Sequence, residues 1–363
     1  MAVPVNPLLE LQRLGQSVWL DDLSRSLLAD GTLERLVTED GVSGVTSNPS
    51  TFQRALMEGP HDQAELAQMK QANLTAEARY EELAIPDVQA ACDLLRPVFE
   101  QSHGDDGFVS LEVSPHLAYD EAATIAAARR LAQRVDRPNL LIKVPGTPQG
   151  MRAFEALTAQ GLSINVTLLF SLHHAFEIGS AYIRGLRAWL SGGGDPRRVK
   201  SVASLFLSRV DTLLDTRLAT LGSPEAQRLR GKSAVALAKL AYQRYQALFH
   251  GDYFAALRER GARPQYLLWA STGTKNPAYS DVLYLESLVG PETVTTLPSS
   301  TLAAFRAHGR ARRTLEQDID AAKAQLIGLE SLGISLHQVG DTLQAEGVKL
   351  FADAYDKLLD GLG

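Results

Sequence analysis

The chain has 363 residues, 45% hydrophobic and 21% charged, enough for one large core or two modest ones. Its net charge of −6, with no basic tract or Arg/Lys stripe, argues against nucleic acid or an anionic membrane as partner. No apolar run reaches a membrane span, no secretory leader is visible at the N-terminus, and the lone Cys92 excludes an internal disulfide and fits a reducing cytoplasm.

Short apolar strands alternate with helical patterns along the chain. An amphipathic helix near Asn6–Gln16 precedes the first strand, Val18–Asp22. Val42–Thr46 follows, then a helical insertion over about Thr51–His103 that carries Cys92 on a helix face. A small buried residue is expected there rather than a reactive thiol. Val109–Ser114, Leu140–Pro145 and Ser163–Phe170 are the next strands, with Ala-rich Asp120–Val135 between the first two. Thr147-Pro148 reads as an N-cap and first helical position. Leu172–Leu190 is helical and stops at Ser191-Gly192-Gly193-Gly194-Asp195-Pro196. Val199–Phe206, Tyr266–Ser271 and Thr293–Leu297 complete eight strands. Further helices are expected over about Thr212–Arg260 and Arg310–Leu362.

These strands lack clean polar alternation, as expected when both faces are covered by protein. Eightfold strand–helix alternation predicts an α/β fold, a (β/α)8 TIM barrel with additional helices at the N-terminus, in loops and at the C-terminus. A doubly wound open sheet is the rival, but no G-x-G-x-x-G turn follows a strand. No Pro/Ser-rich linker divides the chain, so a single decorated barrel domain over 1–363 is expected.

In such a barrel chemistry sits at the C-terminal ends of the strands. There the sequence places Asp21 and Asp22, Asn48, Glu112, Lys143, Asn165 with Thr167, Ser204 with Arg209, and Ser271 with Lys275. Lys143 is the most informative, because it interrupts the apolar strand Leu140-Leu141-Ile142-Lys143-Val144-Pro145. An unpaired buried ammonium tends to lose its proton, and a neutral, desolvated amine attacks carbonyl carbon. Schiff-base chemistry on a sugar or other carbonyl compound is therefore proposed, against the alternative of a lysine whose head snorkels to water. Each companion also has a structural alternative. Asp21 or Asp22 would cap a helix beginning near Leu23, and Asn48-Pro49-Ser50 would be an ordinary turn. Glu112 would pair with an arginine, and Asn165 and Thr167 would satisfy each other. Arg209 would be a surface charge beside Asp211 and Asp215, and Lys275 would be solvated.

Taken as a catalytic set, the residues are coherent. Lys143 forms an imine with a ketose, Asp21 takes the proton released in C–C cleavage, and Glu112 with a water held by Thr167 shuttles protons. Asn48 and Asn165 hold substrate hydroxyls, while Ser204, Arg209, Ser271 and Lys275 bind a terminal phosphate.

The segments Val45-Thr46-Ser47-Asn48-Pro49-Ser50, Leu111-Glu112-Val113-Ser114-Pro115, the Lys143 strand and Ile164-Asn165-Val166-Thr167-Leu168-Leu169-Phe170 resemble the transaldolase family of class I Schiff-base aldolases, in its longer bacterial type. The resemblance runs in the expected order from Asp21 to Lys275. It implies the barrel, the imine at Lys143, and the roles above for Asp21, Glu112, Thr167, Asn48 and Asn165. It also makes Ser204 and Arg209 the phosphate-binding pair. It implies transfer of a dihydroxyacetone unit from sedoheptulose 7-phosphate or fructose 6-phosphate to an aldose phosphate in the pentose phosphate pathway, with no metal or organic cofactor. One departure concerns the Ser-x-Arg arrangement many members carry after the seventh strand. Here Ser271-Thr272-Gly273-Thr274-Lys275 stands there, with Lys275 as the substitute. A simple aldolase of the same superfamily and a non-catalytic sugar-phosphate-binding barrel are the alternatives. Phosphorylated sugars are the expected partners, in a cytoplasmic monomer or homodimer. The apolar faces of Arg310–Leu362 suit packing on the barrel or on another subunit.

Overall fold

The computed structural model describes residues 6–47, 50–53 and 74–363. Eight parallel strands close into a barrel in sequence order. They are β1 (Gln16–Leu20), β2 (Val42–Thr46), β3 (Val109–Glu112), β4 (Leu140–Pro145), β5 (Ile164–Leu169), β6 (Ser201–Phe206), β7 (Tyr266–Ala270) and β8 (Thr293–Leu297). β1 pairs with both β2 and β8, so the sheet has no free edge and the open-sheet alternative falls away. Helices cover the outer face and side chains fill the interior, which is why the strands read as near-continuous apolar runs.

Local chemistry fixes the helix starts. Asp120 caps Glu121–Val135 by accepting from the Ala123 N–H at 2.9 Å. Thr147 caps Pro148–Thr158, with proline in the first turn as expected. Neither Asp21 nor Asp22 caps the helix after β1. Ser24 does so, accepting from the Leu27 N–H at the start of Arg25–Ala29. β1 ends at Leu20, although the Asp21 N–H still donates to the Leu297 carbonyl of β8 at 2.8 Å.

The described part of the insertion is the helix Ala76–Gln101, whose buried face includes Cys92. Burial pushes that thiol up to about 12, so it is unreactive at neutral pH. The C-terminal region forms two helices, Ile319–Ser331 and Leu336–Leu362. The second packs on the barrel. Its Gln344 side chain donates to the carbonyls of Gly146 at 2.9 Å and Leu168 at 3.1 Å, both at C-terminal strand ends. No helix among the described residues is long and apolar enough to cross a membrane.

At the opposite end of the barrel lies a second buried lysine. Lys200, just before β6, pairs with Asp105 at 2.6 Å and lies 3.3 Å from the centre of the Tyr266 ring. Trp19 also reaches toward this end, where its Nε1 donates to Asp106 at 2.8 Å. Its ring lies against Gly44 of β2, where a Cβ would come 2.5 Å from the indole. Gly44→Ala is therefore expected to cost about 1–3 kcal/mol through overpacking. Urea unfolding would show it as a lower midpoint, and an unchanged midpoint would mean that the indole shifts freely.

Candidate active site

Three adjacent strands carry the centre at one level. The parallel register sets Glu112 on β3 opposite Lys143 on β4, and Lys143 opposite Asn165 on β5. Glu112 is 6% exposed, Lys143 5% and Asn165 0%. Lys143 Nζ lies 3.3 Å from Glu112 Oε2 and donates to the Ser47 carbonyl at 3.1 Å. The amine is buried, as expected, but it has partners in Glu112 and the Ser47 carbonyl, so the premise that it lies unpaired does not hold. A charge that leaves water needs such a partner to offset lost hydration. Burial pushes the Glu112 carboxyl up from its ordinary range; Lys143 opposes that rise and Asp21 adds to it. Among the described residues, neither Glu112 oxygen accepts a well-aligned hydrogen bond.

A cavity of about 170 Å³ opens over the lysine at the C-terminal strand ends. Asp21, Thr46, Lys143, Thr167, Ser204, Ser271, Lys275 and Phe351 all line it. Asp21 accepts from Thr46 at 2.9 Å, and Thr46 shares a 2.7 Å hydrogen bond with Thr296 on β8. Asn165 and Thr167 do not satisfy each other. Asn165 donates to Ser110 at 3.0 Å and accepts from Ser204 at 2.7 Å. The buried Thr167 hydroxyl has no hydrogen-bond partner among the described residues.

A second polar group stands at the rim. The hydroxyls of Ser208 and Ser271 lie 2.7 Å apart, with Ser271 in the left-handed region at φ 54°. Arg209 opens the helix Ser208–Leu221. Its buried Nη1 makes no hydrogen bond among the described residues. Burial lowers this guanidinium from its ordinary range, and Glu346 opposes the shift. Asp211 and Asp215 are engaged elsewhere, accepting from Tyr284 at 2.9 Å and Tyr279 at 2.6 Å. Arg209 is therefore not a surface charge satisfied by those aspartates. Lys275 is exposed on the loop after β7.

Size does not mark the site. A cleft of about 600 Å³ opens near the N-terminal strand ends, lined by Phe108, Leu140 and Ser163. Two of its arginines are already matched, Arg137 with Asp93 and Arg197 with Asp195. Among the described residues, no group of three or more His, Cys, Asp or Glu is arranged to hold a metal.

A family model described as transaldolase/fructose-6-phosphate aldolase matches residues 18–362. The chain belongs to that family. A transaldolase of Thiobacillus denitrificans is 57% identical over 354 residues, covering 98% of this chain and 99% of that protein. Transaldolases of Neisseria gonorrhoeae and Thermobifida fusca are 46% and 45% identical, over 96% and 98% of this chain and 97% of each of those proteins.

In this transaldolase-family chain most of the expected residues converge. Asp21, Lys143, Thr167, Ser204, Ser271 and Lys275 share the cavity, Glu112 touches the lysine, and Asn165 reaches the cavity through Ser204. Arg209 stands behind the rim, against the C-terminal helix at Gly347. Asn48 lies outside the described residues. Sequence reading left out Thr46, Thr296, Ser110, Ser208 and Phe351. Ser208 adjoins Arg209, and Thr46 stands inside a quoted motif. Nothing in the local sequence ties Ser110, Thr296 or Phe351 to the lysine.

Glu112→Gln keeps the shape and removes the carboxylate beside Lys143. It is expected to lower kcat/KM by about 10²–10⁴-fold, the usual size of a lost acid–base group. The acid limb of the wild-type pH profile should lie above the ordinary glutamate value of about 4.3 and vanish in the variant. Turnover at the wild-type rate would make Glu112 structural.

Proposed function

We propose that the protein is a transaldolase that works through an imine at Lys143. It moves a dihydroxyacetone unit from a ketose phosphate, sedoheptulose 7-phosphate or fructose 6-phosphate, to glyceraldehyde 3-phosphate or erythrose 4-phosphate. One observation carries this reading in a chain of this family: the buried Glu112–Lys143–Asn165 row, whose amine faces a cavity at the barrel's C-terminal end.

The steps assign as follows. The Lys143 amine attacks the ketone carbon to give a carbinolamine. Glu112, with its raised carboxyl, takes and returns the protons as water leaves and the imine forms. The Thr167 hydroxyl, two residues along the strand from Asn165 and on the same side, orients that water. The protonated imine draws electrons from the adjacent C–C bond, and Asp21 accepts the proton of the hydroxyl that becomes the aldehyde. Asp21 is held for this by Thr46. The aldehyde leaves, and the enamine left on Lys143 attacks the incoming aldehyde through the same steps reversed. Asn165 holds substrate hydroxyls, and so does Asn48.

Ser204 donates to Asn165, which supports a role at the reacting end rather than at the phosphate. The phosphate falls to Arg209, Ser271 and Lys275. A guanidinium with a buried, unused donor suits an oxyanion, and lysine supplies a point charge rather than a fork.

Fructose 6-phosphate with erythrose 4-phosphate should yield sedoheptulose 7-phosphate and glyceraldehyde 3-phosphate, followed by chromatography of the products. Lys143→Arg should abolish this transfer. Free dihydroxyacetone as the main product, whether or not the acceptor is present, would assign the simple aldolase reaction instead.

A further inference from the structure

The C-terminal helix Leu336–Leu362 sends one aromatic ring into the reaction cavity. Phe351 lines that cavity, and its ring centre is 5.8 Å from Lys143 Nζ. It continues an aromatic wall, with Phe206 at 6.5 Å from Phe351 and Phe170 at 5.2 Å from Phe206. Gln344, Val348, Phe351, Tyr355 and Leu358 recur at helical spacing and so share one face.

That face is fastened along its length. Asp341 lies 3.2 Å from His174, and Gln344 binds the two strand-end carbonyls. One of these belongs to Leu168, which adopts φ 61° where the β5–β6 register breaks. At Gly347 the helix leaves only 3.0 Å between a would-be Cβ and Leu168, and 3.1 Å to Arg209. Tyr355 donates to Glu77 at 3.3 Å, and His116 pairs with Asp356 at 2.7 Å. Fastening on both sides holds Phe351 in place over the amine.

We propose that Phe351 is a specificity-determining residue that keeps water from the intermediate on Lys143 and so favours transfer over release. The proposal rests on the imine reading above. The enamine carbon has two fates. In transfer it forms a C–C bond to the acceptor aldehyde, whose oxygen gains a proton, and water then hydrolyses the product imine, freeing the new ketose and Lys143. In release the carbon takes a proton instead, and water then adds to the resulting imine carbon. The C–N bond breaks, the lysine nitrogen keeps the electron pair, and dihydroxyacetone departs with the water's oxygen. Both branches end with water hydrolysing an imine, but release alone needs a proton delivered to the enamine carbon, so an apolar ring that keeps a water proton donor from that carbon acts on that branch.

The test measures dihydroxyacetone formed from fructose 6-phosphate alone, divided by transfer to erythrose 4-phosphate, for wild type, Phe351→Ala and Phe351→Leu. The alanine variant should raise this ratio about tenfold, which corresponds to about 1.4 kcal/mol in relative barriers. The leucine variant should fall back toward wild type, because it restores apolar volume. A merely structural role would slow both branches together, and an unchanged ratio in Phe351→Ala overturns the proposal. Should the alanine variant not fold, Phe351→Val is read on the same ratio. Borohydride trapping of wild-type protein with fructose 6-phosphate separates the two levels. No adduct at Lys143 defeats the imine reading, whereas an adduct with an unchanged ratio defeats only the role of Phe351.

Discussion

The site depends on a buried ion pair between neighbouring strands. Removing Lys143 and Glu112 from water costs several kcal/mol for each ion, and the 3.3 Å approach offsets that only in part. The parallel β3–β4 register within the closed barrel places the two residues opposite each other. The pair's environment also raises the Glu112 carboxyl, because desolvation favours the protonated form. The amine meanwhile stands at the C-terminal ends of the strands, where a cavity opens over it.

Lys200 shows why position matters more than burial. It is as buried as Lys143, at 2% exposed, yet Asp105 and the Tyr266 ring enclose it at the far end. The eight strands were legible because strands covered on both faces carry unbroken apolar residues. Val42–Thr46, Leu140–Pro145 and Thr293–Leu297 match their expected bounds, and the other five differ at their ends. Some differ at the C-terminal end, where the loops of the cavity begin, as at Asp22 and Ser114, and others at the N-terminal end, as at Gln16, Ser163 and Val199. Within the site, the period of two was enough to bring Asn165 and Thr167 to one side of β5.

Contacts that cross the barrel were not legible. The Asp21–Thr46–Thr296 chain joins β8 to residues about 250 positions earlier, and no local pattern encodes that pairing. The partners of Asn165 lie on β3 and β6 rather than on its own strand. Periodicity marked an apolar face in the C-terminal region but not the surface it meets. The structure places that face across the strand ends, where Phe351 joins the cavity. The helix start after β1 was misread for a simpler reason, since Ser24 offers the hydroxyl that Asp21 and Asp22 were expected to replace.

Mapping by mass spectrometry the peptides of protein reduced with borohydride in the presence of fructose 6-phosphate tests the central claim most directly. A single reduced adduct on the peptide bearing Lys143 is the expected result. An intact Lys143, or an adduct confined to Lys200 or Lys275, would contradict the account.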